Sequence, residues 1–304
     1  MEGVLIEVRG KRLYVEIHGN ENAPSLLYLH GGPGESCYEF MLHQTQRLSD
    51  KLRLISIDQR GVWRSDIIEE DEPLNLQDLV EDCEQLRKNL GIQRWSVLGH
   101  SFGGFLGVLY ASYYPNSIEC LILEGPSFDF IKSFRNWLRK AASLYESIGK
   151  VEKARECLAV ANGNQPPHET LNAFIELGQG LGELRMKVYT PNDGNNYTKM
   201  LYSDSQMEEF GRRSNIHFSK LIAEGRIFDS LLPKLKDLSV PALLIKGRHD
   251  PVICEEQTQT FVRDVRNGFM KIYDESGHLP HFEEPDRFAM DVIQFVLEQN
   301  DSSI

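Results

Sequence analysis

Gly99-His100-Ser101-Phe102-Gly103 follows the apolar run Trp95 to Leu98 and leads into a helical pattern at Phe105, Leu106, Val108 and Leu109. A serine between two such glycines, where a strand turns sharply into a helix, is a nucleophile elbow. The turn leaves no room for side chains at Gly99 or Gly103 and pushes the Ser101 hydroxyl out of the backbone. Free N–H groups and the helix dipole then stabilise negative charge developing there.

A serine hydroxyl is a weak nucleophile. It needs a base within hydrogen-bond reach, and the base needs an orienting group. Asp250 follows the run Val240 to Lys246, and His278 follows Phe269 to Tyr273. The chain order Ser101, Asp250, His278 matches the order used with such an elbow. His278 would take the Ser101 proton and pass it to the leaving group, while Asp250 holds the imidazole tautomer. Three other histidines compete for the role of base. His249 adjoins Asp250 and would point away from it, His281 would sit in the turn beyond the strand end, and His100 would pack under the elbow. Donors for an oxyanion are expected at the Phe102 N–H and in the loop His30-Gly31-Gly32-Pro33-Gly34, at Gly32.

Strands and helices must bring these residues together. Val4 to Val8 and Leu13 to Ile17 alternate around Arg9-Gly10-Lys11, which predicts an antiparallel hairpin. Strands are predicted at Ser25 to Leu29, Leu52 to Ile57, at the elbow and at Ile118 to Leu123. Helices fall between them, one at Tyr38 to Leu48 and one from Leu76 to Leu90 capped by Asn75. This alternation predicts an α/β fold, a mostly parallel sheet with helices on both faces and the site beyond the strands' carboxyl ends. A last helix is expected over Pro285 to Leu297. From residue 128 to 236 strand-like runs disappear. Helical periodicity takes over, broken by turn-rich stretches at Asn162 to Pro167 and Pro191 to Asn196. We expect a helical cap inserted at 128–236 into a core formed by 1–127 and 237–304. Its aromatic residues (Phe128, Phe130, Phe134, Trp137, Tyr145, Phe174, Tyr197, Tyr202, Phe218 and Phe228) are expected mostly to pack the cap's own core, with a few roofing a pocket.

Bulk properties narrow the partners. A formal charge of −12 over 304 residues argues against nucleic acid or an anionic membrane. Five widely spaced cysteines, with no C-x-x-C, suggest reduced thiols. The N-terminus carries no basic start with a long apolar run, and no apolar run reaches the roughly 18 residues of a membrane span. The expected location is the cytoplasm. Zinc is a poor fit, because Pro280 separates His278 from His281 and no carboxylate is spaced to join them. The glycines around Ser101 lack the Gly-Lys-Ser/Thr ending of a phosphate loop.

With these motifs placed, the chain resembles the α/β-hydrolase superfamily and, within it, the proline iminopeptidase-like serine peptidases. The resemblance rests on His30 to Gly34, Asp58-Gln59-Arg60-Gly61 with Ser65, the elbow, Gly247-Arg248-His249-Asp250 and Gly277-His278. It implies a helical cap, no cofactor, the triad Ser101, Asp250 and His278, and oxyanion donors at Gly32 and Phe102. Three positions depart from the family pattern. Phe102 stands where a tryptophan is usual, and Trp63 where a glycine is usual. In the cap, Asn215-Ile216-His217-Phe218 places His217 where a carboxylate would hold a substrate amine. Substrate contacts are expected at His217, Phe218 and Trp63, with Glu183, Glu208, Glu209 or Glu224 as substitutes for the missing acid. The implied partner is a small-molecule or short-peptide substrate. Three functions follow for comparison: an aminopeptidase releasing N-terminal proline or another small residue; an esterase, lactonase or amidase on a small acyl compound; and a hydrolase-fold receptor with an idle triad.

Overall fold

A computed structural model of the chain describes residues 3–190 and 202–301. The expected turn at Pro191 to Asn196 and Tyr197 lie outside the described residues. Among the described residues, eight strands form one sheet in the order β1-β2-β4-β3-β5-β6-β7-β8. They are β1 (Val4–Val8), β2 (Lys11–His18), β3 (Ser25–Leu29), β4 (Arg53–Ile57), β5 (Trp95–His100), β6 (Ile118–Glu124), β7 (Ala242–Gly247) and β8 (Gly268–Tyr273). The predicted hairpin pairs β1 with β2, and β2 runs antiparallel to β4. All other pairs are parallel. The strand predicted from Val240 begins two residues later. Pro241 has no N–H to give a ladder, and its carbonyl instead accepts from the Leu121 N–H.

Helices α1 (Tyr38–Leu48), α2 (Leu76–Asn89) and α3 (Phe102–Tyr113) connect the early strands. The Asn75 side chain accepts from the Asp78 N–H at 3.0 Å, and the Asp78 carboxylate accepts from the Asn75 N–H at 3.2 Å. Two orphan donors are thereby satisfied and the start of α2 is fixed. The sheet is apolar on both faces, as parallel strands require. Leu27, Leu29, Ile55 and Val97 face α2 and α3, while Leu26, Tyr28, Leu54 and Leu98 face α1 and the C-terminal helix.

Between β6 and β7 the described residues form helices and short 3₁₀ turns without a strand. The helices are α4 (Phe130–Ser147), α5 (Val151–Asn162), α6 (Pro167–Gln179), α7 (Met186–Tyr189) and α8 (Asp204–Glu224). Trp137, Leu138, Ala141, Tyr145 and Cys157 form a separate apolar cluster there. After β7 come α9 (Glu255–Asp264), then α10 (Pro280–Glu283) and α11 (Pro285–Asp301) following β8. Parallel register aligns Leu29 with Gly99, His100 with Glu124, Glu124 with Ile245 and Gly247 with Tyr273. The loops after β3, β5, β6, β7 and β8 therefore leave one edge of the sheet.

Candidate active site

Ser101 lies between β5 and α3 with φ 54° and ψ −115°, a left-handed conformation costly for a side chain. Neighbours on every side impose it. Its N–H donates to the Glu124 carbonyl at 2.9 Å, and its own carbonyl accepts from the Gly104 N–H at 3.0 Å. A Cβ at Gly99 would collide with the Gly103 carbonyl, and one at Gly103 with the Leu29 carbonyl. The glycine spacing is thus a requirement of backbone crossing.

The loop after β3 comes up against Ser101. A Cβ built on Gly31 would lie 3.2 Å from the Ser101 Cβ. Gly32, at φ 107°, lines the same cavity as Ser101. His30 pins this loop from below. It is fully buried, and its Nε2 accepts from the Gln59 N–H at 3.0 Å, so its Nδ1 is the protonated nitrogen, 3.0 Å from the Gly31 carbonyl. Burial lowers its pKa, which keeps the ring neutral. Asp58 anchors the neighbouring loop, accepting from the Ser36 hydroxyl at 2.7 Å and from Arg64 Nε at 2.7 Å. Phe102 opens α3 with its ring buried against Phe105 and Phe130.

Asp250, after β7, and His278, after β8, are both buried and meet at 3.0 Å between Oδ1 and Nδ1. The Val252 N–H holds the same carboxylate oxygen at 2.7 Å. The His278 N–H donates to the Tyr189 carbonyl at 2.8 Å. Glu283 brackets the histidine, accepting from the Gly277 N–H at 2.8 Å and the Leu279 N–H at 3.1 Å. Burial works to lower the His278 pKa, but the carboxylates of Asp250 and, behind it, Glu124 and Glu35 together outweigh it and the net shift is upward. Ser101 and His278 line one cavity of about 520 Å³, roofed by α4, α6, α7 and α8.

The other histidines go elsewhere. His249 is exposed. His281 sits on α10, fully buried between Glu124 at 2.8 Å and Glu39 at 2.6 Å, and these carboxylates lift its pKa well above the ordinary value despite burial. His100 packs beneath, 3.3 Å from Glu124, with its ring 4.7 Å from that of His278. Folding brings a carboxylate between His100 and His281 that their sequence spacing did not reveal. These groups are engaged with one another.

Two expected substrate contacts are corrected. His217 is fully buried, its Nδ1 2.8 Å from the Arg60 carbonyl, and burial drops its pKa to about 4. On α8 the positions Ser214, Phe218 and Ile222 face the cavity, while His217 and Leu221 turn to the core. Trp63 stacks on Phe210 at 4.7 Å and lines a separate recess of about 140 Å³. Phe218 does line the main cavity. Of the aromatic residues between β6 and β7, Phe130, Phe134, Trp137, Phe174, Phe218 and Phe228 all do so, more than expected, because α4, α6 and α8 each turn an aromatic edge downward.

The four glutamates considered as amine holders lie off the cavity. The carboxylate that lines it is Glu35. Its Oε2 would stand 3.3 Å from a Cβ on Gly31, the same point that lies 3.2 Å from the Ser101 Cβ. Arg185 also lines the cavity. Glu35 could have been found directly after His30-Gly31-Gly32-Pro33-Gly34, whereas nothing near Arg185 marks it.

Comparison with known proteins bears on the family and the fold. A family model described as alpha/beta hydrolase fold matches residues 24–285. The proline iminopeptidase of Xylella fastidiosa (strain 9a5c) is 39% identical over 125 residues, 40% of this chain and 39% of that protein. The chain thus matches about two fifths of that relative's length. The proline iminopeptidase of Lactobacillus helveticus (strain DPC 4571) is 24% identical over 297 residues, 96% of both chains. The crystal structure of the Mycobacterium smegmatis proline iminopeptidase superposes over 100% of both chains with a TM-score of 0.72 at 21% identity, a likeness of fold. No helix among the described residues is long and apolar enough to cross a membrane.

Proposed function

The chain belongs to the α/β-hydrolase fold family, and on that premise we propose that it is a serine aminopeptidase of the proline iminopeptidase type. The observation that carries this reading is His278, held by the buried Asp250, lining one cavity with a strained, projecting Ser101. In the proposed reaction His278 Nε2 takes the Ser101 proton as Oγ attacks the carbonyl carbon of the scissile bond. The oxyanion is met by the Gly32 and Phe102 N–H groups. His278 gives its proton to the leaving amine as the C–N bond breaks. Water, deprotonated by the same ring, then releases the acyl group from Ser101. The Glu35 carboxylate beside Gly31 suits a free α-ammonium group on the acyl side. In this reading residues 128–236 form a cap over a core of 1–127 and 237–304, no cofactor takes part, and five unpaired cysteines fit the cytoplasm.

A paired screen tests it. Prolyl and alanyl arylamides should turn over, N-acylation should block them, and Glu35→Gln should lower kcat/KM for free-amine substrates about 10- to 100-fold. Equal turnover of acylated and free substrates would instead favour a second reading, an esterase or lactonase. That reading is supported by the aromatic lining at Phe130, Phe134 and Phe174. Failure of a fluorophosphonate to label Ser101 would favour a receptor.

A further inference from the structure

Among the described residues Arg185 meets the neutral Tyr189 side chain but no carboxylate that would answer its charge. It lines the cavity, and its Nε is buried without a hydrogen-bond partner. Among the described residues no carboxylate lies within ion-pair distance of it, although ion pairs are plentiful elsewhere on the chain. Trp137, which is 1% exposed and lines the same cavity, has an indole N–H that is also unpartnered. The guanidinium lies 5.7 Å from the centre of the Phe174 ring, and Phe174 packs 4.9 Å from Trp137. An unanswered buried donor costs free energy, and two in one aromatic pocket leave room for an acceptor brought by a ligand.

The position of this pocket says which part of a ligand would reach it. Trp137 packs 5.8 Å from Tyr189, and Tyr189 packs 5.5 Å from His278. The base hands its proton to the leaving group, so the leaving group lies on the His278 side of the scissile bond. Glu35, by contrast, flanks Gly31 and Ser101. The cavity therefore carries a negative group beside the nucleophile and a positive one beyond the base.

We propose that Arg185 binds a carboxylate on the leaving part of the substrate. The substrate class is then a short peptide whose own C-terminal carboxylate enters the cavity. A guanidinium fork matches a carboxylate with two parallel hydrogen bonds, and the Trp137 N–H adds a third donor nearby. The peptide part of this proposal rests on the aminopeptidase reading, while the carboxylate site does not.

Protection of Ser101 from fluorophosphonate labelling separates the two. The probes are 3-phenylpropionate and its neutral amide, 3-phenylpropionamide. The carboxylate should protect at least about tenfold more strongly than the amide. Arg185→Met keeps the aliphatic stem and should abolish that preference, and Arg185→Lys should restore part of it. Equal protection by acid and amide, or a preference that survives Arg185→Met, overturns the site. If the preference holds, dipeptides with a free carboxylate should show a KM about tenfold below that of their C-terminal amides, and Arg185→Met should remove the difference. Carboxylate protection in an enzyme that cleaves no free-amine peptide or arylamide would refute the aminopeptidase reading and leave the carboxylate site standing.

Discussion

Gly125 lies directly against the Asp250–His278 pair. A Cβ there would come within 2.7 Å of Asp250 Oδ2 and 2.8 Å of His278 Nδ1. Gly125 also has φ 48°, which any other residue adopts at a cost. Gly125→Ala should destabilise the fold by about 1 kcal/mol from the backbone alone. The methyl group should also wedge the pair apart and lower kcat by about 100-fold or more. Thermal melting and steady-state kinetics check both. A variant with normal kcat would mean that the pair tolerates displacement.

The strain at Ser101 predicts that losing the nucleophile will gain stability. Its φ of 54° with ψ −115° suits glycine and costs other residues about 1–3 kcal/mol. Ser101→Gly should end fluorophosphonate labelling and raise the melting temperature above that of both the wild type and Ser101→Ala. If Ser101→Gly melts no higher than Ser101→Ala, the turn is not under load.

With His278 as the proposed base, its upward shift should set the acid limb of activity. The ring acts as base only when neutral, so kcat/KM should fall as pH drops through a value above the ordinary His pKa of about 6.5. The accompanying stability has the opposite sense. It is fully present below about pH 6.5 and fades as pH rises through the raised folded value. Asp250→Asn removes the main upward influence, so the limb should move to lower pH while kcat falls on the order of 10⁴-fold. A pH–rate profile unmoved by Asp250→Asn would show that another group sets the limb.

Glu124 and His281 should dominate stability near the site. Burial would raise the Glu124 pKa, but His281 and His100 overcome it and hold it far below the usual carboxylate range. The Glu124 contribution is present above its unfolded pKa of about 4.3 and is lost as pH falls through the depressed value. The His281 contribution is present below about pH 6.5 and is lost as pH rises through its raised folded pKa. Glu124→Gln strips a buried imidazolium of one of its two carboxylates and should cost about 3–5 kcal/mol. Melting curves from pH 4.5 to 9 read this directly, and a variant melting within two degrees of the wild type would contradict it.

The sheet was legible in the sequence because both signals on which it depends are local. Apolar runs mark the strands, and glycines mark the turns that follow them. Ser25–Leu29 and Tyr38–Leu48 fall where the pattern puts them, and Asn75 caps its helix. The elbow was legible because the crossing of backbones at Gly99 and Gly103 admits no other residue type. The roof was not. His217 and Phe218 are neighbours on one helix, and a phase difference of one residue sends one into the core and the other into the cavity. Trp63 stands beside a motif that points to the site, but its ring stacks on Phe210, nearly 150 positions away. Glu124 and Arg185 gain their meaning only from what folding sets beside them.

The bond from the His278 N–H to the Tyr189 carbonyl ties the proposed general base to the roof through main chain alone. No substitution at either position other than proline at 278 deletes it. Lifting the α7 segment away from the cavity would break this tether and release the backbone that aims the imidazole. A protein wired this way shares the aim of its imidazole between the sheet edge, through Asp250, and the helices above it, through Tyr189.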